Sequence, residues 1–148
     1  MENSTEIRDR QFIELAIDLA KTHFPGTRIN KKSRLCAVIA SRGKLICYGF
    51  NRDKTHPLAA RYQKNEDAIY MHAELNSILY ALKEISPKKL KKATLYVGRV
   101  KGLENSWGLA KPCLGCQKAL KAYGIKRIVY STNTFGKYEE LLDPMSKS

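Results

Sequence analysis

Apolar residues recur three and four positions apart near the start of the chain, at Ile7, Phe12, Leu15, Ala16, Leu19 and Ala20, with polar residues between them. That spacing predicts an amphipathic helix over 5–24, closed by Pro25-Gly26. Two short apolar runs follow, Leu35–Ala40 and Leu45–Phe50, around Ser41-Arg42-Gly43-Lys44. A glycine-containing turn between two such runs reads as a β-hairpin. From Asn51 to about Ile69 no period is visible and the segment is polar, as functional loops in compact domains are. Helical spacing returns over 70–85 through Leu75, Ile78, Leu79 and Leu82, and Ser86-Pro87 ends it. Ala93–Val100 reads as a strand, and Lys101–Lys111 as irregular. A helix is expected from about Cys113 to Tyr123, with Pro112 in its first turn and Gly124 as its stop. Ile125–Tyr130 reads as a strand, Tyr138–Leu142 as a last short helix, and Pro144–Ser148 as a frayed tail.

The order helix, hairpin, helix, strand, helix, strand defines an α/β chain. Strand–helix–strand units make right-handed crossovers between parallel strands. The expected architecture is a three-layer α/β/α sandwich, with a mixed, mostly parallel sheet and an N-terminal antiparallel hairpin. No internal repeat or linker interrupts the pattern, so residues 1–148 read as one domain.

Composition narrows the class. Hydrophobic residues at 43% and charged residues at 28% match an ordinary globular protein and exclude a wholly disordered chain. A domain of this length buries enough surface to fold without disulfides. No run of 18 apolar residues occurs, and Met1–Arg10 is polar. The chain therefore reads as soluble, non-exported and cytoplasmic, with no membrane partner. Twenty-seven Lys and Arg against 14 Asp and Glu leave a formal charge of +13, which favours an anionic partner, a phosphorylated small molecule or nucleic acid.

Of four cysteines, Cys113 and Cys116 form a C-x-x-C pair, which in a reducing compartment points to a metal or redox site. Cys36 and Cys47 sit in apolar strands and read as small buried hydrophobes. On the first turn of a helix, residues three apart share a face, so both sulfurs of the pair point the same way. His72-Ala73-Glu74 opens the preceding helix. One histidine and two cysteines give a divalent ion three ligands and leave one tetrahedral position open, the arrangement of a catalytic zinc. Both helices should start at the carboxyl edge of the sheet, where open α/β folds bind ligands. Their N-terminal partial charges favour thiolate. Glu74 lies about 200° around the helix from His72. It is placed to take a proton from water and pass it to a leaving nitrogen.

His-x-Glu followed by Pro-Cys-x-x-Cys resembles the zinc-dependent cytidine and deoxycytidylate deaminase superfamily, over about residues 35–131. The resemblance implies a cytidine deaminase-like fold and Zn2+ held by His72, Cys113 and Cys116, with Glu74 as proton shuttle. It implies that Asn51 bonds the sugar or base and that the Ala73 N–H meets the pyrimidine carbonyl oxygen. It also implies a homo-oligomer. Lys111 stands where many relatives have Glu, Ser or Thr, and Lys101–Lys111 is longer than in compact members; both departures bear on the substrate.

Arg52 and His56, with Lys54, are candidates for a substrate phosphate, against a solvated loop. Trp107 reads as a lid or base-stacking ring, or else as a loop plug. Tyr130, past a strand on the ligand edge, carries the same two readings. The activity these features favour is hydrolytic deamination of a cytosine nucleotide of the CMP or dCMP type, releasing ammonia. A nucleic-acid cytidine or adenosine deaminase acting on single-stranded DNA or tRNA is the enzymatic rival. A non-catalytic, zinc-stabilised nucleic-acid-binding module is the rival of another class, but it has no use for Glu74. A redox role for the cysteine pair leaves His72 and Glu74 unexplained.

Overall fold

The computed structural model describes residues 3–22, 34–51, 73–102 and 104–142. Arg52, His56 and His72, most of the polar 51–69 segment, and the 144–148 tail fall outside them. The elements in chain order are α1 (Ser4–Thr22), β1 (Arg34–Ser41), β2 (Lys44–Phe50), α2 (Ala73–Glu84), α3 (Pro87–Leu90), β3 (Thr94–Lys101), β4 (Ser106–Gly108), α4 (Leu114–Ala122), β5 (Arg127–Ser131) and β6 (Tyr138–Leu142).

The strands form one sheet in the order β2-β1-β3-β5-β6, with β4 paired to β3. β1 is antiparallel to both β2 and β3, so β2 and β3 run the same way with β1 between them. β5 is parallel to β3. The crossover expected through α2 thus exists, but it steps over β1. As a result the sheet has one parallel neighbouring pair, not the mostly parallel ladder that helix–strand alternation suggests. The short returns into β4 and β6 add antiparallel pairs instead.

Tyr138–Leu142 is an edge strand, not a helix. Five residues satisfy either period, and the choice is made by partners across the ladder. Glu140 meets Arg127 and Glu139 meets Tyr130, so each carboxylate on this strand has a donor on β5. β4 also lies inside the stretch read as irregular. Its Trp107 pairs with Val100 beyond the end of β5. Ser86, expected to end a helix, also starts one: its hydroxyl accepts from the Lys89 N–H, and Pro87 occupies the first turn of α3. Pro112 lies just before the N-cap Cys113, outside the first turn expected for it. The stop at Gly124 is as expected. With φ +88° it takes the left-handed region, while Ile125 N–H reaches the Leu120 carbonyl and Gly124 N–H the Lys121 carbonyl.

Each sheet face has its own core. On one, Ile13, Ala16 and Ile17 of α1 pack on Cys36, Val38 and Val100. On the other, Leu75 and Ile78 of α2 and Cys116, Ala119 and Leu120 of α4 pack on Ala37, Ile39, Leu95 and Val97. Two strand glycines set the depth of both layers. A Cβ on Gly98 would sit 2.8 Å from the Ile17 backbone nitrogen of α1, and one on Gly49 would sit 2.6 Å from the Ser77 nitrogen of α2. Helix backbone lies directly on strand backbone at both places.

On the α1 face, Arg127 grips Asp9 with both guanidinium nitrogens, at 2.8 and 2.6 Å, and also reaches Glu140. The Tyr96 hydroxyl donates to the same Asp9 at 2.9 Å. This part-buried, bidentate pair ties the first helix to β3, β5 and β6.

A methyl group at Gly49 cannot be relieved by rotamer change, because the obstacle is backbone. Gly49→Ala is expected to cost about 2 kcal/mol, in the range for overpacking, measured by chemical denaturation. The buried thiols predict the pH response. Burial, aided by Cys47, pushes Cys36 up to about 12, and burial, aided by Glu84, pushes Cys47 up to about 11. Both folded values lie above those of the unfolded chain. The folded state therefore loses stability as pH rises from about 9, where unfolded thiols ionise, towards 11. Thermal unfolding followed from pH 8 to 11 should show this fall, and the paired Cys36→Ala and Cys47→Ala variant should show a shallower one.

Candidate active site

β2, β3 and β5 all point their carboxyl ends at one edge of the sheet, which carries Phe50, Lys101 and Ser131. α2 begins beyond β2 at this edge, held by two contacts: the Asn76 side chain donates to the Phe50 carbonyl at 3.0 Å, and the Cys47 thiol donates to the Ser77 carbonyl at 3.3 Å. Glu74 therefore stands in the first turn of a helix pressed against Gly49. Its residue is only 3% exposed, and Ala73 beside it only 1%. Its carboxylate belongs to the first turn of α2, at the N-terminal end of the helix.

α4 opens with the cysteines. Cys113 is the N-cap, its sulfur accepting from the Cys116 N–H at 3.5 Å, so the two sulfurs occupy one helical turn. Cys116 is fully buried and Cys113 half-buried. The buried Gln117 side chain donates to the Pro112 carbonyl at 2.9 Å and fixes the chain entering the helix.

Sequence reasoning missed the residue that anchors this entry. Ser131, fully buried at the end of β5, donates from its hydroxyl to the Gly108 carbonyl at 2.7 Å and accepts from the Arg99 N–H at 3.1 Å. Its carbonyl accepts from the Ala110 N–H. One serine thus joins β3, β4, β5 and the approach to Cys113. A polar residue ending an apolar strand was its only trace in the sequence.

Asn51 lies where β1 and β2 end. The Leu35 N–H donates to its Oδ1 at 2.9 Å, and its own N–H reaches the Leu35 carbonyl. The carboxamide is oriented by the ladder it closes. Tyr130 is in the core cluster of the α2 and α4 face, with its hydroxyl donating to Glu139 at 3.0 Å. Burial first, then that bond, raises its pKa. Trp107 is placed apart: it is buried with Val100 in the α1-side core, on the other face of the sheet from Glu74, and its ring meets that of Phe135 at 5.6 Å. It plugs the β4 turn there.

The described residues thus bring Ala73, Glu74, Asn51, Cys113 and Cys116 to one sheet edge and leave Trp107 on the opposite face. Arg52, His56 and His72 lie outside the described residues. Among the described residues no three His, Cys, Asp or Glu side chains cluster as a ligand set. The donors still suit a divalent ion with sulfur affinity: two cysteines one turn apart at a positive helix end, with His72 directly before α2 in sequence. Cys36 and Cys47 do not suit it, since both are held as thiols at neutral pH. No described helix is long and apolar enough to cross a membrane.

The model of the family described as the cytidine and deoxycytidylate deaminase zinc-binding region matches residues 6–132. A search of curated protein sequences returns no match. Solved structures share the fold. A cytidine deaminase from Burkholderia pseudomallei superposes with a TM-score of 0.59 at 16% identity, covering 90% of this chain and 91% of its own. The dCMP deaminase of cyanophage S-TIM5 in apo form gives 0.52 at 18% identity, covering 92% and 89%. The same phage enzyme in complex with dCMP and dUMP gives 0.50 at 18% identity, covering 88% and 82%. With the family match spanning most of its length and carrying the Glu74 and Cys113–Cys116 helix starts on one edge, the chain belongs to the cytidine and deoxycytidylate deaminase family and is a hydrolytic deaminase.

Proposed function

We propose that the protein converts a cytosine nucleotide of the dCMP or CMP type to the uracil nucleotide, with release of ammonia. The observation that carries this reading is the placement of a buried carboxylate, Glu74, and the Cys113–Cys116 helix turn at the same sheet edge, in a chain of this family. His72, Cys113 and Cys116 would hold Zn2+. Zinc, when bound, supplies the Lewis acidity that makes hydroxide available from water near pH 7.

The chain's own groups do the rest. Glu74 takes up a proton from the attacking water and delivers it to the amino nitrogen as that nitrogen departs. Its burial keeps bulk water from competing for the proton. The Ala73 N–H, at the start of α2, donates to the pyrimidine carbonyl oxygen. Asn51 offers its amide to the sugar, its carboxamide plane set by the bond from Leu35. Arg52 and His56 follow Asn51 in sequence and are the candidates for the phosphate. The excess of 13 positive charges supports a phosphorylated substrate over a bare nucleoside.

Replacing Glu74 by Gln keeps the shape and removes the proton acceptor. Glu74→Gln is expected to lower dCMP turnover by at least about 100-fold, the scale of general acid–base catalysis, while zinc content stays unchanged. Ammonia release from dCMP, CMP, cytidine, AMP, single-stranded DNA and tRNA checks the substrate. Turnover confined to tRNA or DNA would overturn the nucleotide reading, and unchanged activity in Glu74→Gln would overturn the role of Glu74.

A further inference from the structure

We propose that the sheet edge opposite the cysteine pair is a docking surface for single-stranded nucleic acid, held through its phosphates. At that edge lie the β1–β2 turn, the start of β3 and the start of β5, as Ser41–Lys44, Ala40–Thr94 and Thr94–Arg127 pairing requires. β3 is eight residues long, which puts this edge about 23 Å from the candidate active site.

Two hollows adjoin here. One, of about 230 Å³, is lined by Arg8, Arg42, Gly43 and Lys92 among others, with Phe12 in its wall. The second, of about 260 Å³, is lined by Arg42, Lys89 and Lys92 together with Ile46 and Ile85. Ser41, Arg42 and Lys92 belong to both, so the hollows meet along a line of cations. Arg42 takes φ +54° in the tight turn, and Arg8 lies against that turn at Gly43. Arg8, Arg42, Lys89 and Lys92 are all exposed.

Among the described residues Asp9 is the one acid lining either hollow. Asp9 and Glu140 are both taken up by Arg127. Among the described residues, no ion pair involves Arg8, Arg42, Lys89 or Lys92. Lys91 has another role, its stem lying across Gly124 at the C-terminal end of α4, where a cation complements the helix dipole. The remaining cations are spread along adjoining hollows and do not converge on one point. That layout suits successive phosphates of a flexible strand better than one small anion or the convex, rigid duplex.

The test is fluorescence anisotropy of the full chain with a labelled oligothymidylate, across a salt series. Arg42→Gln with Lys92→Gln removes the two cations common to both hollows; Lys118→Gln with Lys137→Gln removes the same charge elsewhere. The first pair is expected to weaken binding about tenfold and to lower the slope of log affinity against log salt by about 1.4, at ~0.7 per phosphate contact, with dCMP turnover unchanged. The second pair should do neither. Equal losses in both pairs, no loss in either, or binding to anionic vesicles without binding to the oligonucleotide would overturn the proposal.

Discussion

A methyl group at Gly49 would stand 2.6 Å from the backbone nitrogen of Ser77, and the arrangement of the candidate site depends on that closeness. α2 can lie on β2 only because this strand position has no side chain. The contact holds the first turn of the helix, with Glu74, down at the carboxyl end of the strand. Asn76 and Cys47 then lock the helix in place by bonds between helix and strand. The same device, Gly98 against Ile17, seats α1 on the other face. Side chains at these two points would lift a helix layer, and the role proposed for Glu74 tolerates little displacement.

The second constraint is topological. β1 is inserted between β2 and β3, yet it is antiparallel to both, so β2 and β3 still end at the same edge, where the Ala110–Ser131 backbone bond also brings the chain entering α4. Two positive helix ends therefore converge there, one presenting a carboxylate and the other a pair of sulfurs. Ser131 completes the second helix entry by satisfying groups of β3 and β4 at once. The basic edge lies at the far ends of the same strands. The sheet thus separates a chemical edge from an electrostatic one.

Much of this was legible in the chain. Long periodic runs gave α1, α2 and the hairpin, and the Pro-Cys-x-x-Cys turn with Gly124 bracketed α4. The helix N-terminal placement of Glu74 and the cysteines followed from those elements alone. Local pattern failed where distant partners decide. Tyr138–Leu142 became a strand because Arg127 and Tyr130 stand opposite its carboxylates. The sheet is mostly antiparallel because β1 was inserted between strands that a helix connects, an order that no local period encodes. Trp107 reads equally as a lid or as a loop plug from the sequence, and only the pairing of β4 separates the two, since it sets Trp107 opposite Val100 in the α1-side core. Ser131 carried no motif at all, since its importance lies in three bonds to residues far away in sequence.

In the proposed function His72, Cys113 and Cys116 would hold a divalent ion through one nitrogen and two sulfurs, and the proposed chemistry rests on that ligand set. X-ray absorption at the zinc edge of the purified full chain measures that ligand set directly. The account predicts one zinc per chain with two sulfur neighbours at about 2.3 Å and nitrogen or oxygen neighbours at about 2.0 Å, and loss of the sulfur shell in a Cys113→Ala, Cys116→Ala variant. A shell of four sulfurs, or zinc bound equally well without those two cysteines, would contradict it.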